Sequence, residues 1–115
     1  MTRVLITGSR NFANEALMRE VLCQLEAPVE LCHGGARGAD TLAGDIAQSL
    51  GYEVCVYPAN WEKYGKRAGS LRNQEMLDDF KPEVVIAFPL PGSIGTWDMV
   101  QRAKAADIPV RIVEA

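Results

Sequence analysis

The run Val84-Val85-Ile86-Ala87-Phe88 constrains this chain more than any other stretch. It is unbroken, apolar, of strand length and rich in β-branched residues, without the alternation of a strand that has one wet face. A strand of that kind is buried on both sides, as in a parallel sheet covered by helices. The run passes into Pro89-Leu90-Pro91-Gly92-Ser93-Ile94-Gly95, and Thr96 opens a helical pattern. A strand feeding a glycine loop and a helix start can hold an anion. The first backbone N–H groups of a helix lack partners, and its dipole adds partial positive charge there. The loop has neither the lysine and spacing of a P-loop nor GxGxxG, and an ordinary strand–helix connection explains it equally well.

The rest of the chain repeats this alternation. Strands are expected at residues 3–7, 29–33, 53–57 and 108–113 around the central run. Helices are expected after Asn14, with Leu17, Met18, Val21, Leu22 and Leu25 in one stripe, and after Asp40, with Leu42, Ala43, Ile46, Ala47 and Leu50 and a cap at Gly51. A third, over about residues 70–80, carries Leu71, Met76, Leu77 and Phe80. The last turns Met99, Val100, Ala103 and, at the end of the stripe, Ala106 inward. Residues 59–69 are the least regular part. With right-handed crossovers the pattern gives an α/β three-layer fold with a five-strand parallel sheet of order 3-2-1-4-5, one domain over residues 1–115. In that order strands 1 and 4 flank the switch point, where such sheets bind ligands at the carboxyl edge.

Hydrophobic residues make up 48% and charged ones 23%, an ordinary globular profile. The net charge of -3 argues against coating nucleic acid by bulk electrostatics, but it allows a local basic site. No apolar run is long enough to span a bilayer, and the stretch before Gly8 is too short for a signal peptide, so a cytoplasmic location is expected. Cys23, Cys32 and Cys55 show no metal-ligand spacing and are expected to be reduced and buried as small hydrophobes. His33 lacks sequence neighbours that would complete a metal site, and a hydrogen-bonded structural role is expected. Neither a metal nor a required cofactor is expected.

Three glycines in Gly34-Gly35-Ala36-Arg37-Gly38 let successive N–H groups converge on an anion, where a tight turn would need only one. Asp40 stands in the first helical turn; the dipole alone would stabilise it there, and ribose binding is the other reading. Ser9 and Arg10 follow the first strand to the same edge. The planar fork of arginine suits phosphate, a solvated loop arginine being the plainer account. Lys63, Lys66, Arg67 and Arg72 are interleaved with Trp61 and Tyr64. An aromatic there could stack a base while the cations hold phosphate, and a surface loop pinned by a buried tryptophan fits equally well. Asn60 and Asn73 could read polar ligand edges.

Taken in order, five segments resemble the SLOG superfamily, and most of all its small single-domain YspA/YpsA-related branch. They are Gly8-Ser9-Arg10, His33 through Asp40, Pro58-Ala59-Asn60-Trp61 with Gly65 and Ala68-Gly69, Arg72-Asn73-Gln74-Glu75-Met76, and Ala87-Phe88-Pro89 through Gly95-Thr96. The resemblance implies a Rossmann-like fold binding a nucleotide or nucleotide-derived ligand. Relatives include the Lonely Guy ("lysine decarboxylase-like") phosphoribohydrolases and the DNA-processing protein DprA. Against the phosphoribohydrolase signature Pro-Gly-Gly-x-Gly-Thr-x-x-Glu, Pro91, Gly92, Gly95 and Thr96 match, Ser93 replaces the second glycine, and Met99 stands at the glutamate. Arg72 resembles the arginine of that family's Arg-Lys pair, with Asn73 in place of the lysine. Cleaving an N-glycosidic bond passes through an oxocarbenium-like state that needs a carboxylate. Asp98 is adjacent, but helical neighbours point about 100° apart; Asp40 is a second candidate. At the position the resemblance assigns to the glutamate, Met99→Glu would supply the missing group; if Arg72 grips a phosphate, Arg72→Ala is expected to weaken binding and leave the fold intact.

The sequence thus points first to a module that binds, and in a sensor reports, a nucleotide-derived small molecule. Its contacts would be Gly8, Ser9, Arg10, Gly34, Gly35, Gly38, Asp40, Asn60, Trp61, Arg72, Asn73, Pro91, Gly92, Ser93, Gly95 and Thr96. An N-glycosidic hydrolase of nucleotides using Asp98 or Asp40 is the second reading. A DNA-associated protein of DprA type is the third, disfavoured by the net charge and the lack of extra domains. A homodimer or higher homo-oligomer is left open, and no membrane partner is expected.

Overall fold

The structure, a computed structural model, describes residues 1–114. Strands and helices alternate: β1 (Thr2–Gly8), α1 (Glu15–Cys23), β2 (Val29–His33), α2 (Ala39–Ser49), β3 (Glu53–Val56), α3 (Trp61–Tyr64), a 3-10 turn (Gly65–Arg67), α4 (Ala68–Phe80), β4 (Val84–Phe88), α5 (Ile94–Ala105) and β5 (Val110–Ile112). The sheet runs β3-β2-β1-β4-β5 with every pairing parallel, the order expected from the sequence. Leu5 lies beside Val85 and Gly8 beside Phe88, so β1 and β4 end together.

Side chains alternate across a strand, and here the alternation divides the core in two. Val4, Ile6, Ile86 and Phe88 pack on one face with Met18, Leu22, Ala43 and Ala47 from α1 and α2. Leu5, Cys32 and Val85 pack on the other with Met76, Leu77 and Phe80 of α4 and Met99 and Ala103 of α5. The central run is therefore buried on both sides. Asn14 starts α1 by accepting from the Leu17 N–H at 3.1 Å, a side-chain cap that satisfies one orphan donor.

Several expectations need correction. Residues 61–67 are not irregular: a helical turn and a 3-10 turn run directly into α4, which begins at Ala68. Leu71 is consequently exposed on the outer side of α4, and Leu25 lies past the end of α1. Ala106 is exposed because α5 has already ended at Ala105. β3 and β5 are shorter than expected, although the Tyr57 N–H still donates to the His33 carbonyl at 2.9 Å. Cys23, on the last turn of α1, is exposed; Cys32 is buried and Cys55 half-buried, and all three are free thiols. Among the described residues no helix is long and apolar enough to cross a membrane.

Candidate ligand site at the sheet switch point

The loops after β1, β2 and β4 meet at the carboxyl edge of the sheet, and Ser9 ties them together. Its N–H donates to the Phe88 carbonyl at 3.0 Å, and its own carbonyl accepts from Ala39 at 3.1 Å and Phe12 at 3.2 Å. Its hydroxyl accepts from the Asn11 N–H at 3.1 Å. Gly38 crosses this loop so closely that a Cβ there would lie 2.5 Å from the Arg10 carbonyl, at a φ of +78° that disfavours other residues. Gly38 therefore packs the two loops together and lines neither cavity described below.

Between these loops and α4 opens a cavity of about 460 Å³. Gly8, Ser9 and Arg10 line it from β1, Asp40 from α2, Trp61 from α3, and Arg72 and Asn73 from α4. Pro91, Gly92, Ser93, Gly95, Thr96 and Asp98 complete it from the β4–α5 connection. Gly34 and Gly35 line a second, adjoining cavity of about 630 Å³. Asn60 lines neither; its side chain accepts from the Lys63 N–H at 3.0 Å and so caps α3. Thr7, Asn11, Ala36, Arg37, Lys66, Gly69, Ser70 and Ile94 also face the first cavity, and sequence reading did not select them. Ala36 and Arg37 lay inside the glycine loop after β2, Lys66 within the basic cluster, and Gly69 and Ile94 within segments of the resemblance; Thr7, Asn11 and Ser70 carry no local signal.

The start of α5 is open toward the cavity. Ser93, its N-cap residue, accepts from the Leu90 N–H at 2.9 Å through its hydroxyl and gives the helix no side-chain cap. Among the described residues the N–H groups of Gly95 and Thr96 have no partner in the protein. These donors and the helix dipole favour a negative group.

The two carboxylates at the site are already engaged. Asp40, 6% exposed, accepts from the N–H groups of Gly34 at 3.0 Å and Ala36 at 3.4 Å. Burial raises its pKa to about 6, and hydrogen bonds from Ala36 and Gly34 and the charge of Arg72 hold it from going higher. Asp98 uses one oxygen to accept from Asn73 Nδ2 at 2.9 Å and from Arg102 Nε at 2.9 Å. Asn73 also donates to the Gly95 carbonyl at 3.3 Å, linking α4 to the start of α5. Met99, at the position of the resemblance's glutamate, is fully buried with Leu5 and Met76 and does not line the cavity. A carboxylate there would sit under the site, not in it.

Arg72 donates to the carbonyls of Gly34 at 2.5 Å and Tyr57 at 3.3 Å, and through Nε to Asn73 at 3.0 Å. Burial lowers its pKa, with nearby Arg10 acting in the same direction and Asp40 against it. His33 is buried, and its Nδ1 accepts from the Gly35 N–H at 3.0 Å; burial lowers its pKa. Arg10, Arg37 and Lys66 make no ion pair among the described residues and remain available cations. Among those residues no group of three or more His, Cys, Asp or Glu side chains is placed to hold a metal.

A five-strand parallel sheet of order β3-β2-β1-β4-β5, with an open cavity at its switch point, defines a Rossmann-like α/β protein. Within that class the chain belongs to the YspA, cpYpsA-related SLOG family (YAcAr), whose model matches residues 2–64, from β1 through α3. It is 41% identical over 119 residues to the Gene 61 protein of Mycobacterium phage D29, covering 96% of this chain and 94% of that protein. Its fold is similar to that in the X-ray structure of DNA processing protein A (DprA) from Streptococcus pneumoniae, with a TM-score of 0.64. That likeness covers 98% of this chain and 58% of the other at 16% identity, so it carries the fold alone.

Proposed function

We propose that the switch-point cavity binds a nucleotide-derived small molecule through its phosphate. The observation that carries this reading is the convergence of unpaired donors on one cavity. Among the described residues, the N–H groups of Gly95 and Thr96, which have no partner, meet there with the side chains of Arg10, Arg37 and Lys66, which make no ion pair. Such an array satisfies phosphate oxygens with backbone and charged hydrogen bonds together. Binding is favoured over turnover because the Asp98 carboxylate is held by Asn73 and Arg102, and Asp40 by two backbone amides.

A thermal-shift screen of nucleoside mono- and diphosphates against inorganic phosphate tests the reading. A ligand at a hundred times its Kd should stabilise by about 2.7 kcal/mol. Chromatography of the same mixtures for free base reads hydrolysis. Stabilisation without base release supports a binding module; rapid base release lost on Asp98→Asn would replace it with the hydrolase reading.

A further inference from the structure

Trp61 is the first residue of a single helical turn, fixed by the Asn60 cap, and yet it is 49% exposed. It is not loose. Its ring edge rests on α4, where a Cβ at Gly69 would come within 3.3 Å of it, and the Arg10 guanidinium lies 5.9 Å from its centroid. A large apolar ring held in place and half open to solvent offers a stacking face. Trp61 also lines both cavities, as do Arg10, Arg37 and Arg72. The two spaces are therefore two halves of one trough, with a cationic and aromatic ridge between them. The first half ends on the open start of α5; the second is floored by Gly34, Gly35 and Ala59.

We propose that the ligand is bipartite, a nucleoside joined through a diphosphate to a second group, laid across the Trp61–Arg10 ridge so that it fills both halves. A diphosphate suits a ridge that presents Arg10 and Arg37 to both sides, and a planar base suits the open ring of Trp61. A mononucleotide would occupy one half only. This inference rests on the phosphate-binding reading above and adds the class of ligand to it.

The chain has two tryptophans, and Trp97 lines neither cavity, so Trp97→Phe leaves fluorescence that reports Trp61 alone. Diadenosine diphosphate and UDP-glucose serve as two-part probes, with AMP and UMP as one-part controls. The two-part probes should bind at least tenfold tighter than the matching monophosphate, and diadenosine diphosphate should quench Trp61. Ala59→Leu narrows the second half alone. It should reduce the two-part affinity to that of the monophosphate and leave the monophosphate unchanged. Equal affinities for one-part and two-part probes, or an Ala59→Leu effect on both alike, would overturn the bipartite ligand while the phosphate site stands. Binding by none of the four would overturn both.

Discussion

The Arg72 guanidinium donates to the Gly34 carbonyl at 2.5 Å, joining α4 to the loop after β2 across 38 residues of sequence. A Cβ on Gly34 would lie 2.6 Å from the guanidinium carbon, so the contact requires glycine at one end and a planar fork at the other. Arg72 is thus part of the scaffold as well as the cavity wall.

Arg72→Ala is therefore expected to cost stability, in contrast to the sequence-based expectation that a phosphate-gripping Arg72 could be removed with the fold intact. Two carbonyls lose their donor and Asp40 loses a nearby cation, a loss of about 1–3 kcal/mol by urea denaturation. Arg72→Lys should recover little of it, because a single ammonium cannot reproduce the fork. Wild-type stability in Arg72→Ala would remove the scaffold role.

Asp40 should make stability depend on pH. Its native pKa of about 6 lies above the ordinary 3.8, so the fold favours the protonated form. Its contribution is complete below the unfolded value and is lost as pH rises through about 6, an effect on the order of 3 kcal/mol. Asp40→Asn keeps an acceptor for the Gly34 N–H and does not titrate. Its stability relative to wild type should rise between pH 4 and pH 7; a difference that stays flat would show that Asp40 titrates normally.

Met99→Glu should destabilise the fold and not create a catalyst. The new carboxyl would replace a fully buried side chain among Leu5, Met76 and Leu77, costing roughly 3 kcal/mol or more near neutral pH and less in acid. Denaturation curves at pH 5 and pH 8 read this directly. Release of free base from a nucleotide by a well-folded variant would contradict it.

Much of this arrangement is legible in the sequence because it follows from local signals. The central run and its neighbours fix a parallel sheet, Asn14 marks a helix start, and the small-residue loops fall at one edge once the order is set. What is not legible depends on partners distant in sequence. Asn73 and Gln74 of α4 bond Asp98 and Arg102 of α5, and although Asp98 and Arg102 are themselves an i,i+4 pair, no local pattern links the two helices. The burial of Met99 follows from how α5 lies on β1 and α4, not from its own neighbours in sequence. Residues 61–67 mislead because glycine and charge there mask two short turns that α4 continues.

The most direct test uses Gly95. It lines the cavity, and a Cβ there would meet nothing within 4 Å, so Gly95→Leu should fill the space without disturbing the fold. Leucine also suits a helix better than glycine, by up to about 1 kcal/mol. Calorimetric titration with the tightest nucleotide from the thermal-shift screen should show one site in the wild type. Gly95→Leu should bind at least tenfold more weakly while melting at the same temperature or higher. Equal affinity in the two proteins, or no nucleotide binding by the wild type, would contradict a phosphate site at the start of α5.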